Sequence, residues 1–251
     1  MLKKNIKLIL ILILIIIIIW CLFYSNSNTL DNFNNVISAP NVISAPDVRI
    51  VKHTYGDYEI LEIWNILTPE ECKKLIEVAT AKGLHESEIL AKETNKDTAV
   101  NNEFRKSKQA WINDNHHPII MKIADFSEKI TGMPKENQEE LQVATYEPNG
   151  KFVEHFDSCI YEDREYCNRI NHYAGERRAT LLIYLNDDFK DGETEFVELG
   201  LKIKPETGKG ILFWSTDADE KLLTKSKHKG NVVLEGNKWI ATKWTHAKKF
   251  V

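Results

Sequence analysis

The second half of the chain constrains the fold most, because short β-type segments follow one another there between turns. In order they read LQVATY, KFVEHF, TLLIYL, TEFVEL, GILFW and NKWIATKW. β-Branched and aromatic residues favour strands, and the Gly and Asp residues between these segments favour turns. The pattern predicts an α+β fold with a jelly-roll or barrel of short strands and helices packed against one outer face.

The first half supplies two candidates for those helices. Thr68, Pro69 and Glu71 form the start signal of one, with a capping residue, a proline in the first turn and a capping-box glutamate, and Gly83 ends it. An apolar stripe predicts a second helix from Pro118 to a stop at Gly132. Aliphatic stripes of this kind indicate core packing rather than chemistry.

The N-terminus has a different character. Three lysines within the first seven residues precede an uninterrupted apolar run from Leu8 to Tyr24. A cleavable signal peptide starts in the same way, but this run exceeds a usual signal core, and the following Ser-Asn-Ser-Asn offers no small-residue cleavage site. We therefore favour an uncleaved membrane anchor over residues 1–24.

The lysines lie on the leading side of this anchor, so the positive-inside rule predicts a cytoplasmic N-terminus. The protein would then be a single-pass type II membrane protein whose remaining residues are lumenal or extracytoplasmic. Residues 25–47 contain VISAPN followed by VISAPD, a duplicated segment that is typical of an extended linker. The folded domain is expected over residues 48–251.

Charge and cysteine content limit the possible partners and compartments. The net charge is −4, and beyond the first residues there is no block of lysine or arginine, so nucleic acid is not an expected partner. Cys159 and Cys167 lie close together in a polar segment. A local disulfide fits an extracytoplasmic domain, and two free thiols are the alternative.

Metal-binding residue types occur in a specific arrangement. His155 and Asp157 lie two apart at the end of a predicted strand and so project to one side. With His228 they make two imidazoles and one carboxylate, the facial triad of non-haem Fe(II) oxygenases. Lys238, ten residues after His228, could pair with the distal carboxylate of 2-oxoglutarate.

The region from Leu141 to the C-terminus resembles the catalytic domain of prolyl 4-hydroxylases. The resemblance covers LQVATYEPNGKFVEHFD, RRATLLIYLNDDFKDGETEF, GKGILFW and HKGNVVLEGNKWIATKW, in the order that this family has them. It implies a double-stranded β-helix, or jelly-roll, core. It also implies Fe(II) as metal, 2-oxoglutarate as cosubstrate and ascorbate as a reductant that rescues the iron.

Carried over by position, the resemblance makes His155, Asp157 and His228 the iron ligands and Lys238 the catalytic clamp for 2-oxoglutarate. Tyr146 and Thr194 would assist Lys238 through their hydroxyls. The residues that it implies for the peptide site are Arg105, Ser107, Glu139, Arg177, Trp244 and His246.

Two positions depart from the family pattern. Asp191 replaces the first glycine of a Gly-Gly-Glu-Thr turn, which affects the turn more than a ligand. Phe152 stands three residues before the first metal histidine, where many relatives have tyrosine, so this ring lacks the hydroxyl. The second change bears on substrate contacts.

The predicted function is hydroxylation of peptidyl proline to 4-hydroxyproline. Three alternatives remain: the same chemistry on a lysyl side chain or a free amino acid, a catalytically silent membrane-tethered binding module, and a zinc-bound cupin-like hydrolase. A complete ligand set argues against the silent module, and the lysine at the cosubstrate position argues against the hydrolase. Residues 158–176, which follow the metal ligand Asp157, are expected to form a lid over bound peptide.

Overall fold

The computed structural model describes residues 48–91 and 97–250. The predicted anchor over residues 1–24 and the linker over residues 25–47 lie outside the described residues. Within the described ranges, no helix has the length and apolar character that crossing a membrane requires.

Three helices occur in this part of the chain: α1 (Pro69–Lys82), α2 (Pro118–Thr131) and α3 (Arg164–Ile170). Both ends predicted for α1 are confirmed, since Thr68 and Glu71 form a capping box and Gly83 is the C-cap. The αL conformation of Gly132 ends α2, as the sequence indicates. Helix α3 is a correction, because the segment that contains it reads as a loop in the sequence.

The larger sheet has eight strands, and all of its pairings are antiparallel. In spatial order they are β1 (Arg49–Tyr55), β2 (Tyr58–Trp64), β14 (Gly210–Trp214), β10 (Arg177–Tyr184), β17 (Lys238–His246), β8 (Leu141–Tyr146), β7 (Lys108–Ile112) and β3 (His85–Glu86). Four of the strands predicted from the second half form the centre of this sheet. Strands β1, β2, β3 and β7 come from the first half, where the sequence analysis predicts only helices.

The smaller sheet has five strands. In spatial order they are β13 (Leu201–Ile203), β12 (Thr194–Phe196), β15 (His228–Gly230), β9 (Lys151–His155) and β6 (Arg105–Lys106). Two short pairs complete the β-structure: β4 (Glu88–Leu90) with β5 (Thr98–Val100), and β11 (Lys190–Asp191) with β16 (Val233–Glu235). Short 3-10 turns lie at 114–116, 135–137, 197–199 and 224–226.

Two apolar cores separate three layers. In the first core, Leu75 of α1 and Ile120 and Ile123 of α2 pack with Val143 and Leu181 of the larger sheet. This confirms the expectation that the helices cover one face of the strands. The second core lies between the two sheets and includes the aromatic side chains of Tyr184, Phe196 and Phe213. Because residues alternate along a strand, the same strands serve both cores.

Candidate active site

A cavity opens between the two sheets at one end of the second core. The side chains of His155, Asp157 and His228 lie in its wall. One potential ligand atom from each of the three residues lies within 4.8 Å of the other two. The structure therefore brings together the three residues that the sequence analysis predicts as iron ligands.

Strand pairing explains why the two histidines meet. His155 ends β9 and His228 begins β15, and the two residues are directly opposite each other in this antiparallel pair. Their ring centroids are 4.2 Å apart. Asp157 follows β9 by two residues, so its carboxylate reaches the same point, with Oδ1 3.8 Å from the Nε2 atom of His155.

Backbone carbonyls set the tautomers of both histidines. The Nδ1 atom of His155 lies 2.8 Å from the carbonyl oxygen of Val153, and that of His228 lies 2.9 Å from the carbonyl oxygen of Ser226. A carbonyl oxygen only accepts, so each Nδ1 carries the proton and each Nε2 keeps a lone pair. Metal-binding histidines are commonly oriented in this way.

The protonation states suit a cationic metal. Burial, together with the neighbouring charge of His228, lowers the pKa of His155 to about 3, so its ring is neutral. Burial opposes ionisation of Asp157, but His228 and His155 outweigh it and hold the pKa of Asp157 below its usual value. Two imidazoles and a carboxylate are the donor set of the Fe(II) facial triad, and the site fits that metal.

The other end of the cavity holds the residues predicted to bind 2-oxoglutarate. Lys238, Tyr146 and Thr194 all line the wall there. Lys238 and Tyr146 are directly opposite each other in the pairing of β17 with β8. The Lys238 ammonium donates a 2.7 Å hydrogen bond to the carbonyl oxygen of Gly192, and within residues 48–91 and 97–250 it forms no ion pair.

Burial lowers the pKa of Lys238 to about 8, because few charges compensate for its lost hydration. A buried ammonium with no carboxylate partner is costly in isolation, and the distal carboxylate of a cosubstrate would remove that cost. The cavity therefore fits 2-oxoglutarate, with three hydrogen-bonding side chains at this end.

The six residues predicted for the peptide site divide into two groups. Arg105 and Trp244 line the cavity. Ser107, Glu139, Arg177 and His246 do not line it but support residues that do. Ser107 accepts a hydrogen bond from Arg105, and the Arg177 guanidinium stacks 4.0 Å from the ring centroid of Trp244.

Glu139 links the other two members of the second group. Its Oε1 atom accepts from the Nε atom of Arg177 at 2.5 Å and from the Nε2 atom of His246 at 2.8 Å. Burial opposes ionisation of Glu139, but the Arg177 charge and the hydrogen bonds from His246 and Arg177 lower its pKa to about 2. Glu139 is therefore a carboxylate that fixes Arg177 and, through it, the position of Trp244.

Three residues that the sequence analysis does not single out contribute to the site. Thr180 donates a 2.6 Å hydrogen bond to Oδ2 of Asp157, Gln142 accepts one of 2.9 Å from Arg105, and Tyr184 donates one of 2.7 Å to Thr194. Each is a polar residue inside an apolar strand. A polar residue inside an apolar strand can therefore indicate a site residue from sequence, although the sequence does not identify its hydrogen-bond partner.

The loop that begins after Asp157 contains a disulfide. Cys159 and Cys167 are joined, with their Cα atoms 5.7 Å apart, and Cys167 lies in α3. Of the two possibilities left open above, the structure has the bridge. No residue from 158 to 176 lines the cavity, so the lid role of this loop stays a prediction.

Comparison with known proteins identifies the family. Residues 141–246 match the model of the 2OG-Fe(II) oxygenase superfamily. The putative prolyl 4-hydroxylase of Acanthamoeba polyphaga mimivirus is 34% identical over 187 residues, which cover 74% of this chain and 73% of that protein. The probable prolyl 4-hydroxylase 10 of Arabidopsis thaliana is 35% identical over 205 residues, covering 74% and 68%.

A solved structure agrees with both sequence relatives. The viral collagen prolyl hydroxylase of Paramecium Bursaria Chlorella virus-1, in its 2OG complex, superposes with a TM-score of 0.61 at 32% identity. The alignment covers 76% of this chain and 97% of that one. The double-stranded β-helix fold expected from the sequence is thereby confirmed. The chain belongs to the prolyl 4-hydroxylases of the 2OG-Fe(II) oxygenase superfamily.

Proposed function

We propose that this protein hydroxylates peptidyl proline at C4, with Fe(II) as its metal and 2-oxoglutarate as its cosubstrate. The observation that carries the proposal is the convergence of His155, Asp157 and His228 in one cavity that also contains Lys238, which forms no ion pair within the described residues. When bound, Fe(II) would supply the chemistry of a coupled oxidation by O2. One oxygen atom enters succinate as 2-oxoglutarate loses CO2, and the other converts the prolyl C–H bond to C–OH. Ascorbate use is typical of this family.

The protein contributes positions and charges. We assign metal binding to the Nε2 atoms of His155 and His228 and to the Asp157 carboxylate. Lys238 would pair with the distal carboxylate of 2-oxoglutarate, and Tyr146 and Thr194 would donate hydrogen bonds to it. These contacts fix the cosubstrate relative to the metal ligands and leave the rest of the cavity for the target proline.

For the peptide, we propose direct contacts from Arg105 and Trp244, because both line the cavity. Ser107, Glu139, Arg177 and His246 would act through them. Phe152 stacks on His155 with ring centroids 3.6 Å apart, so the ring that replaces the more common tyrosine still covers the metal ligand. An apolar ring at this position suits the apolar side chain of proline.

We also propose a cellular arrangement. The apolar run from Leu8 to Tyr24 would anchor the protein as a single-pass type II membrane protein, with the catalytic domain lumenal or extracytoplasmic. The Cys159–Cys167 bridge supports this proposal, because disulfides persist in oxidising compartments. Protease protection of intact microsomes or cells tests it, and cleavage of the catalytic domain from the cytoplasmic side would contradict it.

The activity is tested with the purified full chain in detergent. Fe(II), 2-oxoglutarate, ascorbate and a panel of proline-containing peptides are supplied, and a mass gain of one oxygen atom is followed together with succinate release. Fragmentation of the product should place the oxygen on proline, and amino-acid analysis should show 4-hydroxyproline. Oxygen on lysine, or on a free amino acid alone, would support the alternative substrates and contradict the proposal.

A further inference from the structure

One wall of the cavity carries polar side chains whose charge or hydrogen-bond donors are only partly matched by other residues in the described part of the chain. Arg105 is only 6% exposed and lies in this wall. Its guanidinium donates to Ser107 Oγ at 3.2 Å and to Gln142 Oε1 at 2.9 Å. In the described part of the chain it pairs with no carboxylate. A buried guanidinium without a counter-ion is costly, which indicates that a ligand completes it.

Gln142 extends the same wall. Arginine can only donate, so Gln142 must turn its amide oxygen toward Arg105, and its NH2 group then points elsewhere. The Gln142 side chain lines the cavity, and among residues 48–91 and 97–250 that NH2 group has no acceptor. Because Arg105 takes the amide oxygen of Gln142, the Gln142 NH2 group is a second donor in this wall.

Trp244 supplies a third donor. Its indole Nε1 is buried and has no hydrogen-bond partner within the described ranges, and the residue lines the cavity. An unsatisfied buried donor costs about 1–3 kcal/mol. Arg105, Gln142 and Trp244 thus form a wall, here called the donor wall, that matches a ligand with acceptor oxygens.

We propose that the preferred substrates carry a carboxylate next to the target proline, and that the donor wall binds it. This inference rests on the function proposed above. A carboxylate offers only acceptor oxygens and a negative charge. These match the charge of Arg105, which has no carboxylate partner among the described residues, and the free donors of Gln142 and Trp244 there. The carboxylate belongs to an aspartate or glutamate side chain or to a proline at a free C-terminus. The distal carboxylate of 2-oxoglutarate does not compete for this wall, because its proposed partner Lys238 lies at the other end of the cavity.

The test compares peptides that differ only in this carboxylate. Acetylated and amidated peptides carry Asp, Asn, Glu or Gln before or after a single proline, and hydroxylation is measured by mass. Two further substrates, a peptide ending in proline with a free carboxylate and free L-proline, distinguish the two sources. We expect kcat/KM to be at least about tenfold higher for one acidic peptide than for its amide counterpart, as loss of a charge-assisted hydrogen bond predicts.

Variants link this preference to the donor wall. Arg105→Gln should reduce the ratio of kcat/KM for the acidic peptide to kcat/KM for its amide counterpart to about one, because it removes the positive charge that favours the acidic peptide. Arg105→Lys should keep part of this preference. Arg49→Gln is the matched control, since Arg49 stacks on Trp64 in an edge strand and does not line the cavity. Trp244→Phe supplies a second variant should Arg105→Gln fail to fold.

The outcomes separate this inference from the proposed function. If wild-type protein hydroxylates acidic and amide peptides equally well, and neither a C-terminal nor a free proline is preferred, the carboxylate inference is overturned while prolyl hydroxylation stands. If an acid preference exists but persists in Arg105→Gln and Trp244→Phe, the assignment to the donor wall is overturned. If 2-oxoglutarate is consumed and no proline gains oxygen in any substrate, both proposals fail together.

Discussion

Thr180 Oγ1 donates a 2.6 Å hydrogen bond to Oδ2 of Asp157. Thr180 lies on β10, in the larger sheet, while Asp157 follows β9 of the smaller sheet. This bond joins the two sheets at the candidate metal site. Because Thr180 is 1% exposed, its hydroxyl has little freedom to turn away, and it fixes the orientation of the carboxylate.

Thr180→Val should therefore weaken metal binding while preserving the fold, since valine has the same shape without the hydroxyl. Loss of such a supporting contact typically costs about 10- to 100-fold in metal affinity. Titration of the metal-free protein with Co(II), a spectroscopic substitute for Fe(II), measures the change. Thr145→Val is the matched control, because the Thr145 hydroxyl is buried and has no partner within the described residues. Equal affinities in the two variants would contradict a positioning role for Thr180.

Single replacement of His155, Asp157 or His228 by alanine should abolish turnover and leave the fold largely intact. Loss of a direct ligand should lower the metal affinity by more than the roughly 100-fold that is typical when a supporting residue is lost. Metal content by elemental analysis and hydroxylation of a peptide are measured together on each variant. A variant with full iron-dependent activity would show that its residue is not a ligand.

Lys238→Ala should raise the KM for 2-oxoglutarate far more than the KM for peptide, because the buried cation would pair with only one of the two substrates. Lys238→Arg should be partly tolerated. Lys190→Ala is a suitable control, since that lysine forms an exposed ion pair with Glu235. Unchanged 2-oxoglutarate dependence in Lys238→Ala would place the clamp at another residue.

The pH dependence of 2-oxoglutarate binding should report the same lysine. Burial lowers the pKa of Lys238 to about 8 in the free protein, and a bound carboxylate would raise that pKa. Binding of 2-oxoglutarate above about pH 8 should then be accompanied by uptake of a proton by Lys238. The affinity for 2-oxoglutarate should therefore be constant below that pH and fall above it. Calorimetry in buffers of different ionisation enthalpy measures the uptake. Affinity that rises with pH between 8 and 9 would have the wrong sign.

The disulfide in the loop after Asp157 should affect peptide binding more than chemistry if this loop is a lid. Arg169 of the loop forms an ion pair with Asp97 at 2.9 Å, and Tyr166 donates to the carbonyl oxygen of Asp97. Replacing Cys159 and Cys167 together by serine frees the loop and should raise the KM for peptide severalfold with little change in the KM for 2-oxoglutarate.

Mass spectrometry of non-reduced fragments provides the companion measurement. A linked Cys159–Cys167 fragment from protein in its native membrane is expected. Free thiols there would count against both the restrained loop and an extracytoplasmic domain. An unchanged KM for peptide in the double variant would contradict the lid alone.

The sequence by itself determined the parts of this protein that depend on local patterns. The alternation of apolar residues from Leu141 onward predicts the central strands, and the capping box at Thr68 predicts the start of α1, because both depend on residues a few positions apart. Histidine and aspartate two apart at the end of a predicted strand are expected to project to one side, so the sequence alone predicts His155 and Asp157 as a pair.

The tertiary structure decided what depends on residues far apart in the chain. Strands β1 and β2 join the larger sheet because β2 pairs with β14, some 150 residues later, a partner that no local pattern specifies. The proton positions on His155 and His228 follow from backbone carbonyls. Among the described residues, no acceptor reaches the indole nitrogen of Trp244 and no carboxylate reaches Arg105. A hydrogen bond requires a partner in space, and only the folded chain fixes that partner.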